Sequence, residues 1–284
     1  MNIAKWLYHR RSKKFKYEDV EPITSLREYE RELSNKQKSQ GTSIEEEKEE
    51  KFLTFEECEQ LVAYLKQSCA PRRRYYNSNG HPRGTAGRSD RAIISAWQHY
   101  LTVAILVYCG LRQREIRELA LGKTLFREPD GYWVKQSPDD HKVGSKTGEG
   151  KEFMLSEHLT EDLDEWLNVW RPKMRIQGHN YVFATIGSNG HPNSMGRPLN
   201  DKSLGHFVTI RVYKATSFLF GEPKRVNPHF FRNLIITHQR KHGDPNQQEA
   251  LAVMMGQSVK TANEIYNLMT PRDKTAKAQN WWKS

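Results

Sequence analysis

The sequence predicts a mainly helical α+β protein, a bundle of helices carrying a small antiparallel β-sheet. Apolar residues recur at helical spacing in several stretches, above all Leu61, Val62 and Leu65, the run from Ala92 to Cys109, and Phe230, Phe231, Leu234 and Ile235. Two segments read instead as strands, 122–136 and 151–155, joined by a glycine-containing turn over 139–150. A hydrophobic content of 36% with 7 Trp, 12 Tyr and 11 Phe suffices for one large core within 284 residues.

In chain order, residues 1–51 change character halfway. Lys13, Lys14 and Lys16 make the start basic, whereas 43–51 (SIEEEKEEK) is a charged run with little to bury. This stretch is expected to be a flexible or partly helical extension, and 52–284 the globular domain with its tail. Thr54 and Glu57 form a capping box in front of the Leu61, Val62, Leu65 face. The segment 70–91, rich in Arg, Gly and Asn, is either a loop along a nucleic-acid backbone, through Arg72, Arg73 and Arg74, or a solvated insertion. A buried helix over 92–109 then delivers Arg112. Residues 157–169 read as helix, 181–185 as a short strand and 186–199 as a loop, and Asn200 can cap a helix running to about residue 220.

The stretch 227–266 concentrates the chemistry. Pro228 suits the first turn of a helix on which His229 and Arg232, three apart, share a face. Gly243, Asp244 and Pro245 stop it; a short helix through Leu251 ends at Gly256, and a third, over 259–269, carries Tyr266.

Net charge of +11 and a pI near 9.5 point to a polyanionic partner, for which nucleic acid is the usual case. Cys58, Cys69 and Cys109 are widely spaced and form no C-x-x-C, which argues against a disulfide framework or a zinc site and for a reducing compartment. The longest apolar run, 100–109, is too short to span a bilayer, and no apolar segment follows the basic start. A cytoplasmic, nucleoid-associated protein without membrane contact is expected. His238 and His242 stand at the spacing of a zinc pair, but the cationic residues between them disfavour a metal.

A His-x-x-Arg pair alone arises on the order of once by chance in so basic a chain. Here it has company: Gly110-Leu-Arg112-x-x-Glu115 upstream, and Lys146 in Lys-Thr-Gly-x-x-Lys on the intervening turn. With His229-x-x-Arg232, and with Tyr266 nine residues after Gln257, these boxes resemble those of the tyrosine recombinase (phage integrase) family over about residues 52–270. The chain departs from that pattern at Gln257, where His or Trp is usual, and at Asn233, where His is common.

The resemblance implies a catalytic domain that breaks and rejoins duplex DNA without cofactor, metal or ATP. Arg112 and Arg232 would clamp the non-bridging oxygens of a phosphodiester with bidentate hydrogen bonds. Tyr266 would attack phosphorus and form a 3′-phosphotyrosine, which conserves the bond energy for rejoining. Lys146 would protonate the leaving 5′ oxygen. His229 would assist the tyrosine or the phosphate, Gln257 would donate to a phosphate oxygen, and Glu115 would orient Arg232 or the hairpin. Lys142 joins Arg72, Arg73 and Arg74 as a candidate DNA contact. Strand exchange implies a homotetramer on two sites, and an accessory DNA-binding protein could supply a clamp. Trp281 and Trp282 in the tail either pack on a neighbouring protomer or fold back. The alternative reading is a DNA-binding regulator or remnant of the same fold with weakened cleavage; a type IB topoisomerase would use similar residues.

Overall fold

The computed structural model describes residues 16–18, 20–39, 52–76, 81–140, 148, 150–176, 178–187, 192–200 and 202–263. Its contacts divide the chain into two units, 1–51 and 52–284. In the first unit, α1 (Glu21–Ser39) starts with an acidic residue suited to the positive end of its dipole. Arg27 donates to the Lys16 carbonyl (2.5 Å), which ties the preceding turn to the helix. The charged run 43–51 lies outside the described residues.

The second unit opens with α2 (Phe55–Gln67). Thr54 Oγ1 accepts from the Glu57 N–H (3.1 Å) while Glu57 Oε2 accepts from the Thr54 N–H (2.8 Å), a reciprocal cap of about 1 kcal/mol. Its Leu61, Val62 and Leu65 are buried, and the helix packs against α3 (Asp90–Cys109), the axis of the core. By length and composition α3 exceeds the apolar run read from the sequence and could cross a bilayer. However, 78% of that window is buried inside the protein, as befits a core helix. Burial raises the thiols of Cys58 and Cys69 to about 12 and that of Cys109 to about 11, so they remain protonated packing groups.

Between α2 and α3 the Arg-rich segment forms an antiparallel hairpin of β1 (Arg72–Tyr76) and β2 (Pro82–Gly87). A second sheet, in the order β3-β4-β5, joins β3 (Leu125–Glu128), β4 (Gly131–Gln136) and β5 (Lys151–Met154), all antiparallel. The stretch 122–136 is thus two strands: Thr124 Oγ1 accepts from the Ala120 N–H (2.8 Å) and holds the chain in a turn until Leu125, and a tight turn at 129–130, with Gly131 at φ +152°, separates β3 from β4. Residues 181–185 form no strand. Tyr181 and Ala184 each make one bridge, to Ala120 and Pro198, whose own segments are irregular and offer no continuous ladder.

After α4 (Gln113–Arg117) and the sheet, the chain runs through α5 (Thr160–Glu165), which continues as a wider π-turn over Trp166–Trp170 with Trp166 fully buried. Asn200 Oδ1 accepts from the Lys202 and Ser203 N–H groups (3.0 and 2.8 Å) and starts α6 (Ser203–Phe220). The last elements are α7 (Phe230–His242), α8 (Gln248–Met254) and α9 (Val259–Thr261). Ile236, Met255 and Ala262 form a small apolar cluster, joined by Ile235 and Leu251, that seats the 248–262 segment on α7.

Candidate functional site

The site is built where the end of α3 meets α7 and the turn after α8. Gly110 closes α3 in the left-handed conformation (φ +59°), and a Cβ there would come within 2.8 Å of Met255 Cε and 3.0 Å of Ile235 Cδ1. Glycine is therefore favoured by the backbone angle, with the side-chain ends of the other two segments pressed close against it. Two residues on, Arg112 occupies the position ahead of α4, and Glu115 at its third residue reaches back to accept from the Arg112 N–H (2.8 Å).

Glu115 is buried and takes two further donors. Arg112 Nη1 lies 3.3 Å from Oε1, and Lys151 Nζ donates to the same oxygen at 2.8 Å. Glu115 thereby reaches the hairpin through the first residue of β5. Lys151, which in the sequence only competes with Lys146 as the lysine of its box, is buried beside Glu115: its side chain is 4% exposed, against 2% for Glu115. Strand alternation does contain the signal, since Lys151 and Phe153 face inward while Glu152 faces out to pair with Lys135 (3.0 Å). Burial drives the Lys151 ammonium below its usual range, and Arg112 and Arg232 push the same way, only partly opposed by Glu115. For Glu115, burial works to raise the carboxyl. The charge and hydrogen bond of Lys151, then the Arg112 backbone and charge, outweigh it and hold the group ionised below its ordinary value.

Arg232, one turn into α7, is completely buried. Nη1 donates to the Gly110 carbonyl (2.5 Å), and Nη2 to the Met255 carbonyl (2.7 Å) and Gln257 Oε1 (2.9 Å). Arg112, with its side chain 18% exposed, donates from Nη2 to the Gly256 carbonyl (2.7 Å). Both guanidinium groups thus converge on one turn, 255–257. Gly256 within it is left-handed (φ +61°), and a Cβ there would stand 2.9 Å from Arg112 Nη1.

The remaining expectations separate. α7 begins at Phe230, whose N–H is received by Asn227 through both its carbonyl (3.1 Å) and Oδ1 (3.0 Å). Pro228 lies in the turn ahead and His229 at the cap position, in helical backbone geometry (φ −70°, ψ −29°); His229 is exposed whereas Arg232 is buried. Gln257 meets Arg232 as described. Arg72, Arg73 and Arg74 are exposed on β1, apart from the buried cluster. Lys142, Lys146 and Tyr266 lie outside the described residues, as does the tail with Trp281 and Trp282; the chain is described up to Asn263, whose Oδ1 accepts from Arg240 Nε (2.8 Å). His238 stacks on Phe55 (4.4 Å between centroids), and among the described residues no three His, Cys, Asp or Glu gather as metal ligands.

Chemically, three cationic heads and one carboxylate meet in a small, largely buried volume. Such an excess of planar and ammonium donors suits an anion with several oxygens.

No protein-family model matches the chain, and no curated protein sequence matches it. Several solved structures resemble it in fold, two of them substrate complexes of one protein. One is the XerH site-specific recombinase bound to its difH substrate in a pre-cleavage complex, with TM-score 0.52 and 17% identity over 82% of this chain and 55% of that one. The other is XerH on a palindromic difH substrate after cleavage, with TM-score 0.51 and 16% identity over 82% and 53%. The chain therefore has a tyrosine recombinase fold and spans about half the length of the solved proteins it resembles.

Proposed function

We propose that this chain is the catalytic part of a site-specific recombinase that cleaves and rejoins duplex DNA through a protein–DNA phosphotyrosine. The observation that carries the reading is the convergence of Arg112 and Arg232 on the 255–257 turn, with Lys151 beside them on Glu115. In this reading the two guanidinium groups receive the scissile phosphate and stabilise the charge that builds on its non-bridging oxygens. The Tyr266 oxygen bonds to phosphorus as the bond to the 5′ oxygen breaks, and Lys146 supplies the proton to that oxygen. Gln257, with Oε1 accepting from Arg232 and Nε2 donating weakly to Met255 Sδ (3.9 Å), keeps a second amide N–H for the phosphate. Glu115 positions Arg112 and Lys151, and His229 acts from the rim. Electrostatic work that other phosphoryl-transfer sites give to a metal falls here to the cations. Duplex DNA is the substrate, a tetramer on two sites the working assembly, and the cytoplasmic nucleoid its place.

One observation favours a second reading, a DNA-binding remnant with weakened cleavage: the Arg232 donors named above are engaged by protein acceptors, and the residue is fully buried. Cleavage then requires the 255–257 turn to shift as phosphate enters. Nicked suicide duplexes drawn from DNA flanking the gene separate the two. A denaturant-resistant protein–DNA adduct formed by the wild type and absent from Tyr266→Phe is the expected result. Intact DNA binding with no adduct would replace the recombinase reading with the remnant.

A further inference from the structure

The β1–β2 hairpin is a ribbon with an unusual composition. From Ala70 to Arg88 the sequence has five arginines and neither Asp nor Glu. β1 alternates them, so that Arg72 and Arg74 point to one face and Arg73 to the other. Opposite stand Gly84, Thr85, Ala86 and Gly87, residues with little or no side chain, all exposed. A lone two-stranded ribbon is at best marginally stable by itself. This one is fastened at its base: Arg88 donates to the carbonyls of Ala70 (2.9 Å) and Ala92 (3.0 Å), and also bonds that of Ser68. Arg72 adds a long contact to Thr85 (3.4 Å). Among the described residues, Arg73, Arg74 and Arg83 are in no ion pair.

The ribbon is also remote from the buried cluster. Its base adjoins the start of α3, and Arg112 follows the end of that helix; at about 1.5 Å per residue, the 20 residues of α3 separate them by roughly 30 Å. It cannot belong to the same phosphate clamp.

We propose that this hairpin is a second DNA-contact element, a two-stranded ribbon that enters the major groove of duplex DNA at a distance from the cleaved phosphate. The inference rests on the proposed DNA partner and extends it to a separate site. A groove about 12 Å wide admits a β-ribbon, and its two walls are lines of phosphates. A ribbon with arginines on both faces fits between two such walls, whereas one lying flat on a backbone would need cations on one face alone. The small residues of β2 let the backbone approach the base edges closely.

The test is binding of the full chain to a random-sequence duplex of about forty base pairs, by fluorescence anisotropy across a salt series. Each phosphate contact contributes about 0.9 to the slope of log affinity against log salt. Arg73→Gln/Arg74→Gln/Arg83→Gln should lower that slope by about three, so that between 50 and 200 mM salt the wild type loses roughly forty-fold more affinity than the variant. Arg73→Gln and Arg74→Gln, one from each face, should each lower it by about one. The triple Lys variant at the same positions should restore the slope, which separates lost charge from lost fold. An unchanged slope in the triple Gln variant overturns the proposal, and a change confined to one face overturns the groove. The adduct assay keeps the two proposals distinct. A wild type with the steep, hairpin-dependent slope but no adduct would retain the ribbon and remove the recombinase reading; an adduct with a slope indifferent to the hairpin would do the reverse.

Discussion

Arginine does two different jobs in this molecule. On the hairpin, Arg73 and Arg74 stand in solvent with small neighbours, and their contribution is charge. In the buried site, Arg232 has no solvent contact and Arg112 little, and each holds main-chain carbonyls from distant parts of the chain. Charge there comes with shape: the same donors that would meet a phosphate also hold the 255–257 turn in place. The difference teaches that in this fold an arginine's role follows its burial and its acceptors, and that the two classes should respond oppositely to substitution.

The largest expected effect is that of Arg232→Ala. It leaves the buried carbonyls of Gly110 and Met255 without that donor, at about 1–3 kcal/mol each, and denaturant unfolding should show a loss of about 3 kcal/mol or more. Arg232→Lys should recover only part of this, since an ammonium cannot reproduce the planar fork; full recovery would break the comparison. Next comes Glu115→Gln, which strands Lys151 in a buried site and should cost about 3–5 kcal/mol in the same assay. The pH dependence has a definite sign. The Glu115 carboxyl is depressed in the folded state, so its contribution is present above the unfolded carboxylate pKa, near 4.3, and is lost as pH falls through the lower folded value. Thermal melts of wild type and Glu115→Gln should converge as pH is lowered below the unfolded value and on through the folded one, and a constant gap would show that the carboxylate charge is not what matters.

Gly256→Ala is the intermediate case. It forces a left-handed alanine and crowds Arg112 Nη1, for about 1–2 kcal/mol. Arg240→Ala removes partly buried hydrogen bonds to Asn263 and to its neighbour Gln239 and should cost about 1 kcal/mol. At the bottom stands Arg73→Gln, for which the melting temperature should not move while the salt dependence of DNA binding does. A hairpin variant that lowered the melting temperature as Arg240→Ala does would blur the distinction between the two regions.

The sequence marked the parts of the site that local chemistry dictates. Thr54 with Glu57, Gly110 ahead of Arg112, and Gly256 before Gln257 are all short-range patterns with one structural solution. Helical spacing likewise located α3 and α7. What stayed hidden depends on who packs against whom. Lys151 stands in the sequence only as a neighbour of Lys146, because its ionic partner is 36 residues away, and strand alternation alone hints at its burial. The hairpin lacked the apolar alternation that announces a strand, because its pairing rests on backbone bonds between an arginine strand and a glycine-rich one. The two ends of the His-x-x-Arg pair differ in burial, His229 exposed and Arg232 fully buried, because Arg232 lies where α7 meets the end of α3 and the 255–257 turn, which spacing alone does not reveal.

The bonds from Arg232 to Gly110 and from Arg112 to Gly256 span 122 and 144 residues. This has a consequence for timing. A ribosome delivers the N-terminal part first, at about 5–20 residues per second. The core axis can therefore be synthesised seconds before its arginines find their acceptors. Closure waits for the turn at residue 256, and by then almost the whole domain exists. A chain cut between residues 115 and 256 would have Arg112 and Glu115 but not the Gly256 carbonyl that latches the guanidinium. The cationic pocket is thus a product of the completed domain, and an unfinished polypeptide cannot assemble it.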